Sequence, residues 1–137
     1  MKVFIDTSAF MALILKDEAF HQKVVNQYNK YKKTRAQLTT SDYILDELYT
    51  RCLYRAGSHG AKLAINLIKE VVESNELTVL EVDSHIFQEA EVMFIKFSDH
   101  KISFTDATSF CLYKDFSLDE IFTLDDDFKK IRVITSF

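Results

Sequence analysis

The chain has 137 residues, 47% apolar and 28% charged, a size and balance that suit one globular domain and exclude a disordered or fibrous protein. Its net charge of -4 excludes a surface dominated by basic residues, the usual means of gripping a phosphate backbone. Proline is absent and Gly57 and Gly60 are the only glycines, so there is no flexible linker, no P-loop and no glycine-rich dinucleotide fingerprint.

Val3-Phe4-Ile5 is a short apolar run that reads as a strand, and Asp6-Thr7-Ser8 are good capping residues for a helix over Ala9 to Leu15. By hydropathy this opening resembles the apolar part of a secretion signal. Asp6 interrupts it and no small-residue cleavage site follows, so export is not expected. Phe20, Val24, Tyr28 and Tyr31 recur at helical spacing and mark a second helix with one buried face. Ala36 to Thr40 is a candidate strand, after which Ser41 or Asp42 caps a helix with Ile44, Leu45, Leu48, Cys52, Leu53 and Ala56 on its apolar side, ended by Gly57. A further helix follows from the spacing of Ala61, Ala64, Ile65, Ile68, Val71 and Val72. Leu77 to Val82 is a third strand, Ile86 to Phe97 an amphipathic helix, and Ser103 opens another helix running to about Tyr113. Glu120 to Leu124 is a fourth strand, Asp125 to Lys130 a turn or short helix, and Val133 to Thr135 a last strand.

No apolar run approaches the roughly 20 residues of a membrane helix. Cys52 and Cys111 lie among apolar residues at helical spacing, as buried free thiols do in a reducing, cytoplasmic setting. Two basic clusters stand out: Lys23, Lys30, Lys32, Lys33 and Arg35, and then Lys129, Lys130 and Arg132. Either can touch phosphate, and either can equally be a solvated helix end.

Strands alternating with helices require crossover connections, which predicts an α/β fold: a three-layer α/β/α sandwich with a mainly parallel central sheet, one domain over residues 1–137. In such sheets ligands sit beyond the carboxyl ends of the strands. Asp6 and Asp125 each follow an apolar strand, Glu47 lies early in the helix after the second strand, and Asp106 lies in the first turn of the helix opened by Ser103. Each has a structural explanation of its own. Asp6 and Asp125 can cap helices, Ser103 and Asp106 fit a capping box, and Glu47 can pair with Arg51 one turn later. Yet Ile5, Leu45, Leu48, Phe104 and Ala107 flank these acids, which predicts partial burial. Gathered carboxylates repel one another and lose hydration, and a hard divalent cation removes that penalty. Mg²⁺ and Mn²⁺ favour oxygen ligands and keep several waters, the ingredients of metal-assisted phosphodiester hydrolysis. His21, His59, His85 and His100 show no zinc-hydrolase spacing.

Taken together, Phe4-Ile5-Asp6-Thr7-Ser8-Ala9, Leu45-Asp46-Glu47-Leu48, Ser103-Phe104-Thr105-Asp106-Ala107 and Thr123-Leu124-Asp125-Asp126-Asp127-Phe128 resemble the signature of PIN-domain ribonucleases, in order and across essentially the whole chain. The resemblance implies a Mg²⁺- or Mn²⁺-dependent endoribonuclease with Asp6, Glu47, Asp106 and Asp125 as catalytic and metal-binding acids, and Thr7, Ser8 or Thr105 as supporting hydroxyls. For the fourth acid, Thr123, Asp125 and Phe128 align with the family's T-x-D-x-x-F pattern, and Asp127 is the alternative. The tail after Phe128 lacks the glycine often found in relatives, which implies a short or irregular last strand. Stand-alone domains of this length resemble the toxins of type II toxin-antitoxin pairs, implying an RNA substrate, a cognate antitoxin protein and a homodimer. Arg51 or Arg55, on the Glu47 helix, is expected to contact phosphate. The competing expectation is a non-catalytic RNA-binding or regulatory module of the same fold. A phosphoacceptor domain needs a lysine directly after a late strand, and none follows Ile121-Phe122-Thr123-Leu124.

Overall fold

Strand β1 (Lys2–Ile5) carries three consecutive residues, Val3, Phe4 and Ile5, that are essentially inaccessible to solvent. A continuous apolar run of this kind is stable only inside a parallel sheet covered on both faces. In the computed structural model, which describes residues 1–137, β1 pairs in parallel with β2 (Gln37–Ser41) on one side and β4 (Glu120–Phe122) on the other. Val3 lies opposite both Leu38 and Glu120. Strand β3 (Leu77–Leu80) adds outside β2, and the order is β3-β2-β1-β4.

Parallel neighbours need crossovers. Helices α1 (Thr7–Ile14) and α2 (His21–Lys33) connect β1 to β2, α3 (Asp42–Glu73) connects β2 to β3, and α4 (Ser84–Lys96) and α5 (Phe104–Asp115) lead to β4. A short α6 (Asp127–Lys130) follows. Helix α1 packs on α2 and α3, and α4 packs on α5. This is the expected three-layer arrangement. The chain steps outward from β1 through β2 to β3 and then returns to the far side of β1, so the switch point lies between β1 and β4. One core of 27 buried residues joins the layers, with Phe4, Phe122, Phe128, Ile44, Leu48 and Leu112 among its largest members; each such side chain contributes about 1.5–3 kcal/mol. Cys52 and Cys111 are buried free thiols. No helix is long and apolar enough to cross a membrane.

The elements depart from the sequence expectation at a few places. β3 and β4 stop at Leu80 and Phe122, short of Val82 and Leu124, because a strand lasts only as long as its neighbour pairs with it. The break expected at Gly57 is present as a kink inside α3, where Ala56 (φ -137°, ψ 15°) and Gly57 (φ 66°, ψ -165°) leave helical geometry. The expected strand Val133 to Thr135 does not form. Arg132 takes a left-handed turn at φ 62°, and the tail pairs its backbone with one residue of β4 only: Ile121 N–H donates to Ile134 O (2.8 Å) and Ser136 N–H to Ile121 O (3.1 Å).

Candidate active site

Asp6 stands just past β1 as the N-cap of α1 and is 5% exposed. Its Oδ2 accepts hydrogen bonds from Thr123 Oγ1 (2.8 Å) and Ser8 Oγ (3.0 Å), with a longer capping contact from Ser8 N–H (3.4 Å). Each hydroxyl has one proton and gives it to Asp6, so the hydroxyl oxygens serve as acceptors. Ser8 Oγ accepts from Leu124 N–H and Thr123 Oγ1 from Asp125 N–H, both at 2.9 Å. The ends of β1 and β4 are thus knotted together around one carboxylate oxygen, and Oδ1 of Asp6 receives no protein donor. Burial raises the Asp6 pKa above the ordinary carboxylate value. Glu47 adds repulsion, while the bonds from Thr123 and Ser8, with the nearby Thr7 backbone N–H, oppose the rise.

Asp106 occupies the third position of α5 in a complete capping box, accepting from Ser103 N–H at 3.1 Å while its own N–H donates to Ser103 Oγ at 3.0 Å. Burial pushes its pKa up to about 6; the bonds from Ser103 oppose this, and the charges of Asp6 and Asp125 reinforce it. Glu47, in the second turn of α3, is half-buried and pairs with Arg51 at 3.3 Å, and its charge reaches Asp6. Asp125 follows β4, and its Oδ1 accepts from Asp127 N–H at 2.9 Å in an Asx turn that opens α6.

The structure therefore gathers all four acids at the carboxyl edge, on the switch point, and the explanations that each had as a cap or ion pair largely hold as well. Asp127 turns aside to Lys130 (2.5 Å) and Asp126 to Lys129 (2.8 Å). Of the hydroxyls singled out from sequence, Ser8 supports Asp6. Thr7 Oγ1 is buried without a partner, and Thr105 contributes its carbonyl to Thr108 (2.6 Å) rather than its hydroxyl to an acid. The Thr123 hydroxyl was missed. Its signal is a hydroxyl one residue past the strand that neighbours β1, two residues before Asp125. Arg55 is engaged by Asp17 (3.2 Å) and Glu18 (3.3 Å) in the loop after α1, which leaves Arg51 as the arginine beside the acids.

No basic side chain is among the strongest influences on Asp6 or Asp106. A half-buried carboxylate cluster without a lysine or arginine at its centre, and with a free Asp6 oxygen, fits a hard divalent cation by donor chemistry. No three of the carboxylates approach within 4.8 Å of one another. That spread suits an ion that takes one or two carboxylates directly and reaches the others through water. A cavity of about 500 Å³ lies elsewhere, at the amino ends of the strands among Lys2, Lys32, Arg35 and Phe116. The acids lie outside that cavity, on an open face that suits a polymer better than an enclosed small molecule.

The PIN domain family profile matches residues 3–134. The chain belongs to the PIN domain family. Among solved structures, this PIN domain is similar to Mycobacterium tuberculosis VapC20, a sarcin-ricin loop cleaving toxin (TM-score 0.82, 22% identity, 96% of each chain covered). It is also similar to VapBC2 from Rickettsia felis, bound to a DNA fragment from their promoter (TM-score 0.74, 13% identity, 99% of this chain and 98% of that one). A third similar structure is DNA-bound VapBC from Salmonella typhimurium (TM-score 0.68, 15% identity, 98% and 96%). No curated protein matches the sequence. At these identities the structural likeness speaks for the fold of the PIN domain, and its chemistry has to be argued from its own residues.

Proposed function

We propose that this PIN domain is a Mg²⁺- or Mn²⁺-dependent endoribonuclease, the toxin of a type II toxin-antitoxin pair, with Asp6, Glu47, Asp106 and Asp125 as its working acids. The observation that carries this reading is the pair Asp6 and Asp106. Both are pushed above the ordinary carboxylate pKa at one sheet edge, with no basic group among the strongest influences on either. Asp6, through its unbonded Oδ1, and Asp106 are the primary cation ligands, and Glu47 completes the negative field. When bound, the cation supplies a nucleophilic water at neutral pH and offsets charge building on the phosphodiester. Asp125, whose Oδ1 is held by Asp127 N–H, keeps Oδ2 free to orient the attacking water and accept its proton. Arg51 positions a substrate phosphate from the Glu47 face of α3. Ser8 and Thr123 hold Asp6 in one rotamer, so that this ligand is in place before substrate arrives.

The VapBC neighbours support a protein antitoxin as partner, and the family resemblance supports a homodimer. The test is cleavage of a panel of single-stranded and hairpin RNAs, a ribosomal sarcin-ricin-type loop among them, with Mn²⁺ or Mg²⁺ and with EDTA. Cleavage that is lost with EDTA and in Asp6→Asn is the expected result. Folded protein that binds Mn²⁺ but cuts nothing in the panel, with Asp6→Asn indistinguishable from the parent, favours the non-catalytic RNA-binding module instead.

A further inference from the structure

A second set of metal-ligating side chains lies between α4 and α5, away from the acids above. His85 and Glu89 are one helical turn apart on α4, Asp115 ends α5, and α4 packs on α5. His85 Nε2 is 3.6 Å from Glu89 Oε2 and 3.9 Å from Asp115 Oδ2. One ligand atom from each residue lies within 4.8 Å of the other two, the only such trio of His, Cys, Asp and Glu in the molecule. We propose that His85, Glu89 and Asp115 form a binding site for a first-row transition cation of the Zn²⁺ type, distinct from the acidic centre.

The donor set argues for that class of ion. One imidazole nitrogen with two carboxylate oxygens is a mixed ligand set that suits Zn²⁺, whereas Mg²⁺ and Mn²⁺ prefer oxygen alone. The geometry is close to what is needed. A tetrahedral ion with bonds of about 2.0–2.1 Å separates its ligand atoms by about 3.3–3.4 Å. The two distances to the imidazole therefore have to contract by only about half an ångström, within reach of small rotamer changes in three surface-linked side chains.

The trio already attracts a cation. Lys114 Nζ lies 3.0 Å from the buried Oε1 of Glu89, while Oε2 is the oxygen that faces His85. Glu89 and Asp115 also adjoin each other, and two adjoining carboxylates beside an imidazole are a ready arrangement for a divalent ion. Lys114, half exposed on α5, serves as the tethered substitute and swings out when the ion enters.

Asp115 is nine residues after Asp106 on the same helix, about 13 Å along its axis. A cation here staples the far end of α5 to α4 and fixes the helix whose first turn presents Asp106. The inference does not depend on the nuclease reading, and it survives if that reading fails.

The test uses the full chain with Asp6→Asn and Asp106→Asn together, which disables the acidic centre without removing bulk. Zn²⁺ is titrated by calorimetry and its effect on thermal unfolding is recorded. One saturable equivalent and a raised melting temperature are expected. His85→Ala, at an exposed position where folding is not at risk, is expected to weaken binding by at least about tenfold, and the isosteric Asp115→Asn by a comparable factor. Lys114→Met is expected to bind several-fold tighter, because no ammonium has to leave. No saturable Zn²⁺ uptake, or uptake undiminished by His85→Ala and Asp115→Asn, overturns the site and leaves the four side chains as an ion-pair network.

Discussion

Thr123 Oγ1, one residue past β4, donates a 2.8 Å hydrogen bond to Asp6 Oδ2, one residue past β1. The carboxylate at the switch point is thus braced by the neighbouring strand as well as by its own helix. Thr123→Val keeps the shape and removes the donor, and it also deprives Asp125 N–H of its acceptor. The cost at neutral pH is predicted to be about 1–3 kcal/mol. Because the lost bond favours the ionised form, Asp6 is pushed higher still, so the deficit is larger at pH 7.5 than at pH 5. RNA cleavage is predicted to fall at least about tenfold, with its acid limb moved to higher pH, and Thr123→Ser is predicted to restore both. Chemical denaturation at the two pH values, with a pH-rate profile, checks this; a valine variant that matches the parent in each rejects the role of Thr123.

Asp106 gives the protein a pH-dependent stability whose sign follows from its environment. Its folded pKa, about 6, lies above the ordinary 3.8, so the protonated acid is the form that folding favours. That contribution is complete below 3.8 and is lost as pH rises through about 6. A rise from 3.8 to about 6 corresponds to at most about 3 kcal/mol, at about 1.4 kcal/mol per pH unit. Metal-free protein is therefore predicted to lose stability between pH 5 and pH 7.5 relative to Asp106→Asn, whose side chain does not ionise. Mn²⁺ is predicted to restore the parent at pH 7.5 and to do little at pH 5, where protons compete. Identical pH dependence in the parent and Asp106→Asn, measured in EDTA, counts against an uncompensated acid at this position.

Asp125 and Asp127 separate the two candidates for the fourth acid. Asp125 acts on Asp106, whereas Asp127 is occupied by Lys130 on the exposed side of α6. Asp125→Asn is predicted to reduce RNA cleavage by about a hundredfold, the scale of a lost general base. Asp127→Asn is predicted to change it by less than about threefold and to cost under 1 kcal/mol, as expected of a surface ion pair. Steady-state cleavage rates of both variants decide, and equal losses would reopen the assignment.

Features carried by neighbours in sequence were legible before the structure was known. The buried run Val3 to Ile5, the cap at Ser41, the break at Gly57, the Ser103–Asp106 box and the Glu47–Arg51 pair all arise within a few residues. What escaped depends on distant partners. Thr123 and Asp6 are 117 residues apart in sequence, and Arg55 is drawn off by Asp17 and Glu18 across the packing of α1 on α3. The tail at Val133 to Thr135 has strand-like composition, but after the turn at Arg132 it forms only a single backbone bridge with β4. The grouping of the four acids was legible because parallel strands share a direction, so residues after β1 and β4 must emerge at one edge. The hydroxyl knot that holds Asp6 was not, because it depends on which strand lies next to β1.

The two glycines of α3 make a last prediction, in which similar losses have different causes. Gly57 has open space where a Cβ would go, but sits at φ +66° with ψ -165°, a region nearly closed to other residues. Gly57→Ala is therefore predicted to cost about 1–3 kcal/mol through backbone strain alone. Gly60 has ordinary helical geometry, but a Cβ there would lie 2.5 Å from Ala56 Cβ and 3.0 Å from Cys52 O, so Gly60→Ala is predicted to cost a similar 1–3 kcal/mol, roughly, through overpacking. Ala56→Gly removes the nearer clash. It is predicted to rescue part of the Gly60→Ala loss and none of the Gly57→Ala loss, a coupling that a double-mutant cycle in urea detects. Equal effects of Ala56→Gly on the two variants would show that the kink, rather than the contact, governs both positions.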